Sequence, residues 1–161
     1  MPATYEKIAS TTLGSSAATI DFNSISSAYT DLRLTLVTTK AGYGLLNING
    51  DTGTNYSYTW IDGSGSAAAS GRASNDNYFY LSQRPFSTTI PHFITFDFFS
   101  YAGSTFKTCL TTYSQDANGS GYVGNQVGLW RSTSAISSLS LSGGTNYLTG
   151  TTATLYGILK A

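Results

Sequence analysis

Apolar residues recur at every second position through most of this chain, and that regularity argues against a helical fold. In DLRLTLVTTK, Leu32, Leu34 and Leu36 share one side while Arg33 and Thr35 share the other. That is the spacing of a half-buried strand, because successive side chains of an extended backbone point to opposite faces. TIDFNSI puts Ile20 and Phe22 in phase before it, and LLNIN puts Leu46 and Ile48 in phase after it, which predicts partner strands for it. IPHFITFDFFSY carries Ile90, His92, Ile94, Phe96 and Phe98 at the same period with Phe93 and Phe99 opposite. This predicts a central strand buried on much of both faces. The turn Tyr101-Ala102-Gly103-Ser104 joins it to TFKTCLTTY as a hairpin, and YVGNQVGLWR, AISSLSLS and TATLYGILK supply three further strands.

About eight to ten such strands, separated by connections rich in Gly, Ser, Asn and Asp, predict an all-β fold. An antiparallel β-sandwich of jelly-roll type satisfies the pattern, with residues 1–161 as one domain. SGSAAASGRASNDN, Ser64 to Asn77, lacks visible alternation and is expected to be a long surface loop, with Arg72 as a candidate contact residue.

Charge excludes several functions. Eight basic and eight acidic residues cancel, and no Lys or Arg cluster occurs, so the electrostatic footprint of a nucleic-acid binder is missing and no nucleic-acid partner is expected. Solubility must rest on 47 Ser and Thr hydroxyls rather than on charge. A neutral chain also lacks self-repulsion, which favours assembly. MPATYEKIASTTLGSS contains no apolar run of signal-peptide length, and no window approaches the ~18 apolar residues of a membrane helix. The expectation is a chain made in a cytoplasm, with no membrane partner.

Catalytic candidates are few. His92 is the single histidine, and its phase with Ile90, Ile94 and Phe96 predicts a packed residue rather than a base. Cys109, the single cysteine, lies in the adjacent predicted strand, where it could approach His92 as a buried, inert thiol. One His and one Cys are too few for a usual zinc site. Asp97 is the one acid in a strongly apolar strand, where its pKa could rise, but no second acid stands near it in sequence. The chain is therefore expected not to be an enzyme, with no catalytic residue, cofactor or metal.

The most suggestive run is NINGDTGTNYSYTW, Asn47 to Trp60. As an EF-hand loop starting at Asn47 it fails, since that loop needs glycine at position 6 and glutamate at position 12, where Thr52 and Tyr58 stand, which leaves a looser calcium site from Asn49, Asp51 and backbone carbonyls as a minor alternative. Asn49-Gly50 and Asp51-Thr52-Gly53 instead suit a tight connection between Leu46-Ile48 and the following aromatic strand. Tyr56, Tyr58 and Trp60 fall on one face of that strand. Such a row is either core or an exposed platform for sugar rings or a neighbouring subunit, and Trp130 shares the ambiguity.

Three segments together resemble a group of tailed-bacteriophage virion proteins: YEKIASTTLGSSAATIDFNSISSAYTDLRLTL, LLNINGDTGTNYS and LWRSTSAISSLSLSGGTNYLTGTTATLYGILK. Within that group such domains serve as capsid decoration proteins and as tail-fibre modules. The resemblance implies a virion location and a structural role, most simply a decoration or cement protein on the major capsid protein, self-associated as a homotrimer. The alternative it implies is a receptor- or carbohydrate-binding tail-fibre module, using Tyr56, Tyr58, Trp60 or the Ser64 to Asn77 segment.

Overall fold

The computed structural model describes residues 4–159, and every regular element in it is a strand. Along the chain these are β1 (Tyr5–Thr12), β2 (Ile20–Phe22), β3 (Asp31–Thr38), β4 (Leu45–Ile48), β5 (Tyr56–Gly63) and β6 (Ala68–Asp76). They continue as β7 (Phe79–Tyr80), β8 (His92–Phe99), β9 (Lys107–Gln115), β10 (Tyr122–Trp130), β11 (Leu139–Ser142) and β12 (Thr152–Ile158). Two antiparallel sheets form a sandwich: one of eight strands in the order β1-β12-β3-β8-β9-β10-β5-β6, the other of four in the order β2-β11-β4-β7. The chain passes repeatedly from one sheet to the other, in the manner of a jelly roll. Lys160, the last residue of the closing segment quoted above, and Met1 to Ala3 lie outside the described residues.

Register follows the apolar phase. Leu32, Leu34 and Leu36 stand opposite Phe98, Phe96 and Ile94, and all six are buried against Ile20, Phe22, Leu46, Ile48, Leu139 and Leu141 of the smaller sheet. Burial of each such side chain contributes ~1.5–3 kcal/mol. A one-residue slip of β3 against β8 would turn all three leucines to solvent, so this pairing has no close competitor.

Four expectations need correction. First, β2 and β4 do not pair with β3; they flank β11 in the smaller sheet. Alternation marks them as strands but carries no information about which sheet hosts them. Second, the Asn49 to Asn55 segment does not close a hairpin, because β4 lies in one sheet and β5 in the other. Asn49 and Gly50 do take positive φ, 53° and 67°, but they turn the chain between layers. Third, residues 68–76 of the expected surface loop form the edge strand β6, paired with β5. Its Ala, Ser and Gly side chains are too small to display an apolar phase, and the strand is held by its backbone ladder. Fourth, Phe93 and Phe99 of β8 are nearly half exposed, since the smaller sheet covers only one face of the larger.

Close packing at β6 also explains a glycine. Trp60 stands opposite Gly71, and a Cβ at Gly71 would lie 2.8 Å from the indole ring. Only a residue without a side chain lets the indole lie over the edge strand.

Candidate interaction face

The polar residues of NINGDTGTNY are consumed in fastening the loop. Asn49 donates through Nδ2 to the Ala135 carbonyl (2.8 Å) and accepts at Oδ1 from the amides of Ser137 (2.8 Å) and Ser138 (3.0 Å). Asp51 accepts from the Gly53 amide (2.8 Å), from Asn55 Nδ2 (2.9 Å) and from Trp130 Nε1 (2.7 Å). Burial pushes the Asp51 carboxyl up, but these donors, Trp130 foremost, outweigh it and hold the group below its ordinary pKa. Tyr56 accepts from the Ile48 amide (3.0 Å) and donates to the Asp51 carbonyl (3.0 Å). A cation at this loop would have to displace three N–H donors from one carboxylate. Among the described residues no three His, Cys, Asp or Glu side chains come together as a metal site requires.

The aromatic row faces inward. Tyr56, Tyr58 and Trp130 are buried core residues, and Trp60 is partly covered where it lies over Gly71. The exposed-platform alternative therefore does not hold for Tyr56, Tyr58 or Trp130. The phase was legible but its direction was not, because the sign of a face depends on which side the second sheet covers. Tyr58 uses its hydroxyl on Asp76 (2.8 Å).

His92 is buried and fully bonded. Nε2 accepts from the Ser87 amide (2.7 Å), so the proton sits on Nδ1, which donates to Tyr122 Oη (2.9 Å). Burial pushes its pKa from 6.5 down to about 4. Cys109 does not approach it. Cys109 pairs with Phe98, six positions along β8 from His92, a separation of ~20 Å at the ordinary rise per residue. Burial pushes the thiol up to about 12. Asp97 points outward rather than into the core and receives Arg33 through both oxygens (2.5 and 2.9 Å).

Sequence reasoning missed a polar cluster beneath the 81–91 connection. Asp62, with a fully buried side chain, accepts two bonds from Arg84 (2.7 and 2.8 Å), and Gln83 Nε2 donates to Gln126 Oε1 (2.6 Å). The available signal was Asp62 in phase with Tyr56, Tyr58 and Trp60, a charge on a face otherwise made for the core. This cluster clamps the connection onto β5 and β10.

The outward face of the larger sheet is the opposite in character. Ten large apolar residues of the described chain are exposed. Eight project from this face: Tyr5 of β1, Val37 of β3, Phe93 and Phe99 of β8, Leu110 of β9, Val123 and Val127 of β10, and Ile61 of β5. Their exposures run from 40% to 58%, while the other two, Tyr43 and Phe106, belong to connections. Thr95, Thr112 and Asn125 lie between them, and Arg33 is neutralised by Asp97. At the β6 end a trough of about 380 Å³ is lined by Ser57, Thr59, Arg72, Ser74, Thr108 and Leu129, over Val127 and Gly128. Arg72, among the sequence candidates, is thus exposed and on this face.

The fold and the face define a β-sandwich protein with a single broad apolar and hydroxyl-bearing surface. No protein-family model matches the chain, and no curated protein sequence matches it. Among solved structures, the crystal structure of Caenorhabditis elegans galectin LEC-6 is similar at 15% identity and a TM-score of 0.38, covering 91% of this chain and 94% of that one.

Proposed function

We propose that this chain is a non-catalytic structural subunit of a tailed-phage virion, a decoration protein that lays the outward face of its larger sheet on the major capsid protein. The observation that carries the proposal is the gathering, on one sheet face, of eight of the ten large apolar residues exposed among the described residues. Apolar surface gathered this way marks a contact with another macromolecule, and the charge at its centre is internally paired, Arg33 with Asp97. The resemblance of YEKIASTTLG, LLNINGDTGTNYS and the closing segment to phage virion proteins supplies the setting. A subunit that binds only the assembled shell stabilises that shell by linkage, and repetition raises the effective concentration of each contact.

The tail-fibre alternative loses most of its aromatic platform, since Tyr56 and Tyr58 face the core. Particles lacking the chain provide the test. They are expected to assemble, to release their genome at lower temperature than complete particles, and to recover when the purified chain is added back. Particles that are equally robust but fail to adsorb to cells would refute the decoration role and favour the tail module.

A further inference from the structure

Two exposed cations of the outward face, Lys7 of β1 and Arg72 of β6, stand at its opposite edges and belong to neither ion pair found among the described residues. Towards β3, Arg33 is held by both oxygens of Asp97 and covered by the Tyr5 ring at 5.6 Å. Towards β6, Arg72 projects over the trough with hydroxyls of Ser57, Thr59, Ser74 and Thr108 around it. The ion pairs among the described residues are Arg33 with Asp97 and Arg84 with Asp62, which leaves Arg72 without a carboxylate. A guanidinium beside hydroxyl donors and an apolar floor is suited to a carboxylate brought by another molecule, and exclusion of water on docking strengthens such a pair.

Resting on the decoration reading above, we infer that the capsid partner docks on the β8-β9-β10-β5-β6 part of the face and seats one acidic side chain in the trough against Arg72. Five strands ~4.8 Å apart and about eight residues long give a footprint of roughly 650 Å², close to the ~800 Å² per partner of a stable interface. A second copy of this chain fits less well. Laid face to face it would offer Asp97 and Asp31, already engaged by Arg33 and by the Ser100 amide (2.7 Å).

The experiment is co-sedimentation of the purified chain with shells isolated from particles lacking it, at low and high salt. Arg72→Gln is expected to weaken binding about tenfold and Arg72→Glu further, with the differences shrinking at 1 M salt as screening takes over. Val127→Asp is expected to weaken binding at both salt concentrations. Both positions are exposed, so unchanged melting temperatures of the variants verify their folding. Binding by Arg72→Glu equal to the original chain, with Val127→Asp impaired, would overturn the carboxylate contact and leave the decoration role standing. Failure of the unsubstituted chain to bind shells would overturn both. A fall in the sedimenting mass of the free chain on Val127→Asp would show that a second copy covers the face, and would also overturn the assignment.

Discussion

Lowering the pH from 7.5 to 4.5 is expected to cost the fold about 2.5 kcal/mol through His92 alone. The imidazole has no spare acceptor. Its Nε2 already takes the Ser87 amide proton, so a second proton there would set two N–H groups against each other in a buried site. The folded pKa of about 4 lies below the ordinary 6.5, hence the unfolded chain binds the proton first as pH falls. Stability from this group is complete above pH 6.5 and drains away down to about 4, by linkage. At pH 4.5 the unfolded imidazole is almost wholly protonated and the folded one mostly is not, which yields the ~2.5 kcal/mol. Urea unfolding across the range measures the loss, and His92→Gln should flatten the profile while lowering stability at pH 7.5. An imidazole titrating near 6.5 in the folded protein by NMR, or parallel pH profiles for the two proteins, would refute the reasoning.

The other predictions concern the remaining buried charge, the core and assembly. Lys40 is buried, donating to the Tyr43 carbonyl (2.8 Å) under the Tyr147 ring, and burial pushes it from 10.5 to about 8. The unfolded chain therefore holds that proton more tightly, and stability should rise by about 2 kcal/mol between pH 7 and 9.5; Lys107, pushed down by burial in the same direction, adds to the rise, and Lys40→Met should remove most of it in the same unfolding assay. Arg84→Met strands the buried Asp62 carboxylate and should cost ~2–3 kcal/mol, largely recovered in Arg84→Met/Asp62→Leu. A methyl at Gly128 would meet Phe79 at 2.7 Å and Cys109 Sγ at 2.8 Å, so Gly128→Ala should cost ~1–3 kcal/mol by chemical denaturation, whereas Gly14→Ala meets nothing within 4 Å. The homotrimer implied by the phage resemblance predicts about three times 17.0 kDa in light scattering of the free chain; a monomer at micromolar concentration would refute that assembly.

Strands with strong apolar contrast were legible because their alternation is itself the force that orders them. Leu32, Leu34 and Leu36, or Ile94, Phe96 and Phe98, cannot be shifted by one residue without losing the core. β6 escaped because Ala, Ser and Gly carry little free energy of transfer, so nothing in AASGRASND distinguishes a paired edge from a solvated loop. The Asn49-Gly50 turn was legible as positive φ, yet a local turn cannot specify whether the next strand joins the same layer or the opposite one. The same gap hid the interaction face. Phe93 and Phe99 read as buried because aromatics usually are, and the tyrosine row read as a possible platform. Which side of an eight-stranded sheet faces water is settled by a four-stranded partner assembled from segments far apart in the chain.

β1 and β12, the first and last strands, lie side by side from Tyr5 opposite Ile158 to Thr12 opposite Thr152. Their proximity brings Leu159, whose amide donates to the Thr4 carbonyl (3.0 Å), beside the start of β1, so a linker of a few residues could join Leu159 to Thr4. New ends could then be opened in the Asp116 to Gly121 turn between β9 and β10. Such a circular permutant would keep every strand neighbour while converting the longest-range pairing, β1 with β12, into a local hairpin. Loop closure would be least costly where it is now most costly, so the permutant should fold faster at its new hairpin and slower between β9 and β10, with its sheet order unaltered.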